Sequence, residues 1–287
     1  MIGIVTVNWR GFEITSELMG QVMASEFADL RLVVVNNSFE EKEKFDANPV
    51  NDTRITVFHS EVNKGFSGGV NMGLRELMKD ERITHIIIMN NDVELRPDFI
   101  NRMLQQAKGN NSIYSPLIYF RDTHLIYNTG GKVHLWLGGT VNLNNHVPDY
   151  QLKKVKPDYF SGCVLFIPRQ VLEKVGLFDE TFGTYYEDVD FCYRAKEKGC
   201  ELGMIWSVTV RHYHSYSTKG ENVYKIYLIN RNQILFARKH LKPLPRTVFI
   251  VAAVVRGFLM NLKPKRFQHY WRGIQEGFSI RLEGSNL

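Results

Sequence analysis

The sequence has neither paired cysteines nor a long apolar run, and each absence excludes a class of protein. Its 287 residues include three cysteines, Cys163, Cys192 and Cys200, without a CxxC spacing. An odd number of thiols in largely apolar surroundings is typical of a cytosolic protein and argues against a disulfide framework. The longest apolar run, residues 248–255, has eight residues, whereas a helix needs about 20 to cross a bilayer. We therefore predict reduced thiols and no transmembrane helix.

The amino terminus also lacks the basic segment and cleavage site of a secretory signal, and residues 1–7 have the pattern of a first strand. We therefore expect a cytoplasmic protein. No repeat or low-complexity tract occurs, and the hydrophobic (44%) and charged (23%) shares are those of a folded chain. The net charge of +6 is compatible with nucleic acid, an anionic membrane surface or phosphorylated ligands, and charge alone does not choose among them.

Short β-branched segments alternate with helical patterns in the first half of the chain, as expected of strands covered by helices in a mostly parallel sheet. Beyond Gly109, turns rich in glycine and asparagine predict an irregular β-containing excursion. The predicted strands are Ile2–Val7, Leu32–Val35, Ile55–Phe58, His85–Met89, Cys163–Ile167 and Leu202–Val210. Prolines separate three predicted helices in the tail, Tyr224–His240, Arg246–Leu262 and Phe267–Phe278.

Polar residues follow several of these strands at their carboxyl ends, where ligands bind in open α/β sheets. Asp92 follows the fourth strand and could hold a divalent cation at a diphosphate, although a turn explains it equally well. Asn36 ends the second strand, and its amide could pair with the edge of a pyrimidine base, again with a turn as the alternative. His212 follows the last strand as a candidate metal ligand or phosphate contact. A structural role is equally open for His212 and is favoured for His214.

Glycines, a lysine and a serine occupy residues 63–73, at the start of a predicted helix. Free backbone N–H groups at a helix start can bind phosphate or nucleotide oxygens, so this segment is a candidate phosphate site. Its spacing matches neither a Walker loop nor a dinucleotide fingerprint. An NAD-dependent enzyme is therefore disfavoured.

Carboxylates and aromatic side chains are concentrated between Phe178 and Arg194. Acidic residues at a helix start are stabilised by the helix dipole, which explains them structurally, whereas the aromatic flanks are typical of a sugar site. If a helix begins at Glu187, Glu187 and Asp190 share a face and Asp188 points about 100° away, so the three carboxylates cannot share one role. Desolvation raises the pKa of whichever carboxylate faces the pocket and makes it a better general base.

In their order along the chain, these segments resemble glycosyltransferase family 2, an inverting family with the GT-A fold. The resemblance is close to the rhamnosyltransferase-like members that build bacterial surface polysaccharides. It runs from Ile2 to about Lys239, and its most specific parts are residues 63–73, 90–92 and 161–194. Residues 127–133 resemble the rhamnosyltransferase-type subgroup less specifically.

The resemblance implies an α/β GT-A fold with a mixed, mostly parallel central sheet flanked by helices. It implies a catalytic domain over residues 1–220, divided into a nucleotide-sugar half (1–110) and an acceptor half (111–220), and a helical C-terminal extension over residues 221–287. The implied reaction moves a sugar from a UDP- or dTDP-sugar to a hydroxyl of a saccharide or lipid-linked acceptor. It implies no nucleic acid partner.

The resemblance also implies residue roles. Asp188 would deprotonate the acceptor hydroxyl, and Asp92 with His212 would hold Mg²⁺ or Mn²⁺ at the diphosphate. This chain departs from the family pattern at Asn36, where an Asp is usual, and at Asn90, which leaves Asp92 as the single carboxylate of the metal motif. The implied supporting or acceptor-binding residues are Glu187, Asp190, Tyr185, Tyr186 and Trp136. The implied nucleotide-sugar contacts are Thr6, Asn8, Asn36, Lys64, Gly65, Gly69, Asn71 and Asn91.

Two alternatives stay open. The weakened metal motif is compatible with a sugar-nucleotide-binding protein on the same fold that does not catalyse transfer. The apolar helix Arg246–Leu262 precedes Lys263, Lys265 and Arg266, a pattern typical of helices that lie in a membrane interface. Packing on the catalytic domain or on a second subunit, as in a homodimer, explains that helix equally well.

Overall fold

Strands and helices alternate along residues 1–47, 52–213 and 223–282, which are the residues that the computed structural model describes. The strands are β1 (Ile2–Asn8), β2 (Leu30–Asn36), β3 (Ile55–His59), β4 (His85–Asn90), β5 (Val93–Glu94), β6 (Ser112–Phe120), β7 (Leu125–Asn128), β8 (Gly131–His134), β9 (Gly139–Asn142), β10 (Val147–Pro148), β11 (Val164–Pro168) and β12 (Glu201–His212). The helices are α1 (Phe12–Met23), α2 (Lys42–Asp46), α3 (Gly65–Leu77), α4 (Phe99–Gln106), α5 (Arg169–Val175), α6 (Glu187–Glu197), α7 (Val223–His240), α8 (Pro243–Met260) and α9 (Pro264–Ser279).

The central sheet is mixed, with its parallel strands in the first half of the chain. Its order is β10-β7-β6-β11-β4-β1-β2-β3, and β12 pairs with β6 and β5. The four strands β3, β2, β1 and β4 are mutually parallel, whereas β11 runs antiparallel to β4. Asn8 of β1 lies opposite Asn36 of β2, and Asn90 of β4 lies opposite Val7. The carboxyl ends of these strands therefore meet at one edge, as the sequence pattern predicts.

Helices cover both faces of the parallel strands, which explains why those strands read as continuous apolar runs. Along β1, Ile4 packs into the core on the α1 and α4 side, and its neighbour Val5 packs into the core on the α3 and α6 side. The same alternation places Leu32 and Val33 of β2 in opposite cores. The predicted α/β architecture is confirmed.

The C-terminal helices pack directly on the α/β unit. Leu235 and Phe236 of α7 belong to the same apolar core as Val5, and both are fully buried. A third cluster joins α7, α8 and α9 around Phe249 and Tyr270, and the Tyr270 hydroxyl donates to the Val254 carbonyl (2.7 Å). The predicted division near residue 220 lies outside the described residues and stays a prediction.

Helix α8 begins and ends earlier than the predicted helix Arg246–Leu262. It has 18 residues, from Pro243 to Met260, and includes Arg256 and Gly257 beyond the longest apolar run. By length and composition alone α8 could cross a membrane, but a single helix of this kind is weak evidence of a membrane span. One side of α8 is buried against the protein, through Phe249, Ala253 and Gly257.

A small two-stranded sheet, β8 with β9, links α8 to the rest of the chain. Between its strands, residues 135–137 form a 3-10 turn that ends at Gly138, whose φ is 58°. Gly138 lies directly against the backbone of Ala253, so a side chain there would overlap α8. The hairpin is thus held at a fixed position against the C-terminal helices.

Candidate active site

Asn8, at the end of β1, lies at the centre of a buried polar network. Its Nδ2 donates to Asn36 Oδ1 (2.9 Å) and to Glu41 Oε2 (2.8 Å). Its Oδ1 accepts from Thr15 Oγ1 (2.8 Å), and Asn91 Nδ2 donates to the same hydroxyl (2.8 Å). The network fixes the carboxyl ends of β1, β2 and β4 relative to each other. Asn8 and Asn91, predicted as donor contacts, are therefore tied to this network.

Asn37 is better placed than Asn36 to recognise a base. Asn36 is fully buried, and its Oδ1 accepts from Asn8 and from the Ser38 N–H (3.0 Å). Asn37 donates through Nδ2 to the Gly65 carbonyl (2.8 Å), and its buried Oδ1 has no hydrogen-bond partner among the described residues. A buried acceptor without a partner is costly and is expected to be satisfied by a ligand or water. The sequence shows that two asparagines follow one another here, but it does not show which of the two side chains has an oxygen without a partner.

The start of α3 does not offer the free N–H groups that its sequence predicts. The Phe66 N–H donates to Thr184 Oγ1 (3.1 Å), and the Ser67 N–H donates to the Gly183 carbonyl (2.8 Å). These donors of a helix start are thus satisfied by a distant loop of the same chain. The segment joins the first half of the protein to the loop before α6, and its role as a phosphate site stays a prediction.

The glycines of this segment are required for packing. Gly65 has a φ of 69° and lies against the backbone of Gly183. At Gly69, a Cβ atom would lie 2.9 Å from Val7 Cγ1, which is closer than side chains approach. Neither glycine is therefore placed as a nucleotide contact. Lys64, just before them, is exposed and remains a predicted donor contact.

Asn71 and Thr6, two further predicted donor contacts, are fully buried. Asn71 Nδ2 donates to the Phe178 carbonyl (2.9 Å) and to Glu180 Oε1 (2.8 Å), and Asn71 Oδ1 accepts from the Phe178 N–H (3.0 Å). All the donors of this side chain are used, so Asn71 positions the loop before α6. Thr6 lies within β1, and its Oγ1 has no hydrogen-bond partner among the described residues.

Asp92 and His212, predicted as metal ligands, lie side by side. The β5–β12 pairing sets His212 opposite Val93, and His212 Nε2 is 3.0 Å from Asp92 Oδ1. Burial alone would lower the pKa of His212, but interactions with Cys163 and Asp92 outweigh it and raise that pKa to about 10. Imidazolium and carboxylate thus form a buried ion pair at the edge where the strands end.

Tyr127, which the sequence did not single out as a site residue, lies near His212 and interacts with both Asp92 and Asp188. Its ring is 4.5 Å from the ring of His212. Burial raises the pKa of Tyr127, and Cys163 and the negative charges of Asp92 and Asp188 raise it further. The phenol is therefore neutral and close to both carboxylates. The resemblance at residues 127–133 was the only signal for it.

The loop before α6 is strained and is held by the C-terminal extension. Tyr185 and Tyr186 have φ values of 70° and 71°, in the left-handed region that non-glycine residues rarely adopt. Asn232 of α7 is fully buried, and its Nδ2 lies 2.8 Å from the Phe182 carbonyl, 2.9 Å from that of Thr184 and 2.6 Å from that of Tyr185. This clamp, Asn232 on the loop 182–186, fixes the entry of the chain into α6.

Glu187 and Asp188 begin α6 in different surroundings. Asp188 Oδ2 accepts from the Gly162 N–H (2.9 Å) and Oδ1 from the Val189 N–H (2.8 Å). Glu187 is buried, and its Oε2 has no hydrogen-bond partner among the described residues. Removal from water raises the pKa of both groups, and the charge of Asp188 raises that of Glu187 further. The N–H groups of Gly162 and Val189 favour the ionised form of Asp188, whereas Oε2 of Glu187 has no such partner among the described residues, and the pKa of Glu187 is raised well above its ordinary value.

Asp190, two residues beyond Asp188 on α6, lies in a buried ion cluster. Its Oδ2 is 2.8 Å from Arg194 Nε, and its Oδ1 is 2.7 Å from Lys239 Nζ and 2.8 Å from His240 Nε2. Burial opposes ionisation, but the hydrogen bond from His240 and the charges of Arg194 and Lys239 prevail and lower the pKa of Asp190 to about 2. Of its two predicted roles, the geometry favours support of α6 over contact with an acceptor.

Trp136 is the most exposed of the predicted acceptor contacts. Its exposed fraction is 77%, at the 3-10 turn between β8 and β9. Thr140 of the same hairpin hydrogen-bonds the buried Tyr186, so the hairpin reaches the loop before α6. Tyr185 is only partly buried and stays a candidate acceptor contact together with Trp136.

The model of the glycosyl transferase family 2 matches residues 12–176, more than half of the chain. The chain belongs to glycosyl transferase family 2. The matched region contains Asp92 and the carboxyl ends of β2 and β4, but it begins after β1 and stops before α6. The carboxylates of α6 are therefore assigned from geometry and resemblance, outside the matched region.

Two curated relatives are glycosyltransferases. The chain is 28% identical over 239 residues to the low-salt glycan biosynthesis hexosyltransferase Agl10 of Haloferax volcanii, covering 82% of this chain and 74% of the relative. It is 23% identical over 231 residues to the galactofuranosyltransferase GlfT2 of Mycobacterium tuberculosis, covering 73% of this chain but only 36% of that relative. Neither name is that of a rhamnosyltransferase, so the subgroup stays a prediction.

Solved structures share the fold of this family 2 protein. The mannosyltransferase PcManGT from Pyrobaculum calidifontis, in complex with GDP-Man and Mn²⁺, is 12% identical with a TM-score of 0.56, covering 96% of this chain and 84% of that one. TarS 1-349 of S. aureus in complex with UDP-GlcNAc is 12% identical with a TM-score of 0.57, covering 96% and 80%. At this identity the likeness establishes the fold alone.

Proposed function

We propose that this glycosyl transferase family 2 protein moves a sugar from a nucleoside-diphosphate sugar to a hydroxyl of a saccharide or lipid-linked acceptor, with inversion. The observation that carries the proposal is the state of Asp188. Two backbone N–H groups hold its carboxylate at the start of α6, beside Glu187, whose pKa burial raises well above its ordinary value. A partly buried carboxylate with a raised pKa is suited to accept a proton from a hydroxyl.

The chemical step follows from that geometry. As Asp188 takes the acceptor proton, the acceptor oxygen forms a bond to the anomeric carbon, and the bond from that carbon to the diphosphate oxygen breaks. The electron pair of the broken bond leaves with the nucleoside diphosphate. Because attack and departure occur on opposite faces of one carbon, a single displacement inverts its configuration.

The donor is assigned to the edge where β1, β2 and β4 end. We propose a pyrimidine nucleotide, UDP or dTDP, because Asn37 offers a buried amide oxygen to an N–H group of the base. Lys64 is exposed beside this edge and can contact the diphosphate. The complexes of PcManGT with GDP-Man and of TarS with UDP-GlcNAc support a nucleotide-sugar donor.

Asp92 and His212 fit a divalent cation. Asp92 offers a carboxylate oxygen, and His212 offers an imidazole nitrogen once a cation displaces its proton. No group of three or more His, Cys, Asp or Glu side chains arranged for a metal occurs in the part of the chain that the structure describes. Two protein ligands suit Mg²⁺ or Mn²⁺, which complete their coordination with water and substrate phosphates. When bound there, the cation would neutralise charge on the diphosphate. The Mn²⁺ complex of PcManGT supports this assignment.

The wider role proposed is glycan assembly inside the cell. The name of Agl10 places that relative in glycan biosynthesis, and the sequence resemblance favours bacterial surface polysaccharide with rhamnose as a candidate sugar. We also propose the division at residue 220 between a catalytic domain and a helical extension. The clamp and the Asp190 cluster make that extension part of the catalytic structure.

The first prediction concerns donor and metal together. In a panel of nucleotide sugars, we expect a UDP- or dTDP-sugar with Mn²⁺ to raise the melting temperature, because a ligand that binds only the folded state stabilises it. With that donor and an acceptor, EDTA is expected to abolish transfer, and excess Mn²⁺ to restore it. Stabilisation without transfer under any metal would favour the non-catalytic alternative, which the single carboxylate of the metal motif keeps open.

The second prediction concerns pH. Because the pKa of Asp188 is raised above its ordinary value of 3.8, the base takes up its proton at a higher pH than an exposed aspartate does. We expect kcat, measured from about pH 4 to about pH 8, to fall on the acid side with a midpoint above the ordinary aspartate pKa. Donor affinity measured in the same buffers is the control, since nucleotide binding does not require ionised Asp188. An acid limb at the ordinary value would contradict the assignment.

A further inference from the structure

The outward side of α8 and the turn into α9 expose a continuous series of apolar side chains, which we name the tail face. Exposed fractions range from 46% at Trp271 to 76% at Leu244. At about 100° per residue, the α8 members Leu244, Val251, Val255, Phe258 and Leu259 fall within about 100° around the helix axis and share one side, and Met260 lies at the end of the helix. The opposite side is buried against the protein. The tail face comprises Leu244, Val251, Val255, Phe258, Leu259, Met260, Leu262 and Trp271.

The charge of the chain is divided unevenly, and the positive part surrounds the tail face. Residues 223–282 contain 12 Lys and Arg residues and a single carboxylate, Glu276, whereas residues 1–222 contain 24 basic and 28 acidic residues. The net positive charge therefore comes entirely from the helices that carry the tail face. Lys242 precedes α8, and Lys263 and Lys265 follow it, all three exposed.

We propose that the tail face docks on a bilayer surface that contains anionic phospholipids. Apolar side chains would enter the boundary between headgroups and acyl chains, while the flanking lysines contact the headgroup phosphates. The aromatic residues fit this position. Phe258 contacts Phe267 edge-on (5.9 Å), and Phe267 stacks on Trp271 (6.3 Å, 12°), and such rings prefer the interfacial region.

The contacts of the buried side argue against a spanning orientation of α8. Gly138 lies against Ala253, and Arg256 lies against Gly139. The Tyr270 hydroxyl donates to the Val254 carbonyl. A spanning orientation would break all of these contacts and place Arg256 within the hydrocarbon, which is costly.

Charge also argues against a second copy of the chain as the occupant. In a two-fold contact each tail face would meet an identical one. Both ends of α8 are basic, at Lys242 and at Lys263 with Lys265, so either helix direction brings cations together. No carboxylate occurs between residues 223 and 275 to compensate for them. Like charges in contact disfavour such a pairing, whereas anionic lipid complements it.

The test is co-sedimentation of the full-length protein with vesicles, without any nucleotide sugar. We expect binding to vesicles of phosphatidylcholine with phosphatidylglycerol, weak binding to phosphatidylcholine alone, and loss of binding as salt is raised. Val251→Glu/Val255→Glu and Lys263→Glu/Lys265→Glu are each expected to reduce the association constant by about tenfold or more.

Matched controls carry the same changes elsewhere on the surface. Val62→Glu/Tyr150→Glu replaces two exposed apolar residues, and Lys108→Glu/Lys156→Glu reverses two exposed lysines. Both controls should bind as the unaltered protein does, and circular dichroism should show all four variants folded.

Equal binding of test and control variants, or equal binding to both vesicle types, would overturn the proposal. So would a lipid-free dimer in sedimentation velocity that the tail-face variants dissociate. The vesicle experiment does not depend on sugar transfer. A protein that binds vesicles but transfers no sugar would therefore count against the proposed function and not against membrane docking.

Discussion

Replacing Asp188 by Asn is expected to lower kcat by about 10³-fold while donor affinity changes by less than about threefold, because the amide cannot accept the acceptor proton. The Asn side chain keeps the size of Asp188, but its single acceptor oxygen can serve the N–H group of Gly162 or of Val189 and not both. We expect the variant to fold and the main loss to appear in kcat. Initial rates with saturating donor and acceptor, together with donor titration, measure the two quantities.

The matched control is the neighbouring residue. Burial and the charge of Asp188 raise the pKa of Glu187 well above its ordinary value, so we expect Glu187 and not Asp188 to hold a proton. Glu187→Gln resembles that protonated state in shape and charge, and we expect kcat to fall by no more than about tenfold. If Glu187→Gln instead abolishes transfer and Asp188→Asn retains it, the assignment of base and support is reversed. Full activity in Asp188→Asn would refute the base outright.

Replacing Asp190 by Asn is expected to lower the free energy of unfolding by about 3 kcal/mol, because removal of one partner leaves buried cations uncompensated. Asp190 is fully buried and faces Arg194, Lys239 and His240 at 2.7 to 2.8 Å. Its pKa in the folded protein, about 2, lies below its ordinary value of 3.8. The ionised form therefore stabilises the fold at every pH above the ordinary value, and this stabilisation is lost as pH falls through the folded pKa. At neutral pH the variant should show the full effect in urea unfolding.

A surface ion pair provides the comparison. Glu13 pairs with Lys44 at 3.0 Å, and both side chains are more than half exposed. Glu13→Gln, the same acid-to-amide change, should cost no more than about 1 kcal/mol. Equal losses in Glu13→Gln and Asp190→Asn would show that the Asp190 cluster contributes no more than a solvated pair.

The parts of the fold that periodicity controls were predictable from the sequence. The strands from Ile2 to Met89 are long β-branched runs because helices bury both of their faces, so the pattern and the structure share one cause. Asp92 and His212 were each assigned to a strand end. Their approach to 3.0 Å follows from the β5–β12 pairing, which joins distant parts of the chain. A helix start at Glu187 was likewise predicted and is observed.

The sequence could not show contacts between segments that lie far apart along the chain. The start of α3 has the composition of a phosphate site, but Gly183 and Thr184 accept the N–H groups of Ser67 and Phe66 from more than 100 residues away. Asn36 and Asn37 are equivalent in sequence. Only the contacts of Asn36 with Asn8 and Ser38 show that it is occupied and that Asn37 is open. Tyr127 lacks any local pattern that would reveal its approach to Asp92 and Asp188.

The clamp of Asn232 on the loop 182–186 has a consequence for recombination within the family. The base loop and the residue that holds it belong to segments separated by the undescribed residues 214–222, and they must be inherited together. A chimera that joins residues 1–222 of this chain to a tail without an Asn at the position of Asn232 would keep every carboxylate of α6 yet lose the side chain that shapes the entry to Asp188. Exchange of donor preference by grafting is therefore expected to succeed when the crossover lies before Ser161 and to fail when it lies between α6 and α7.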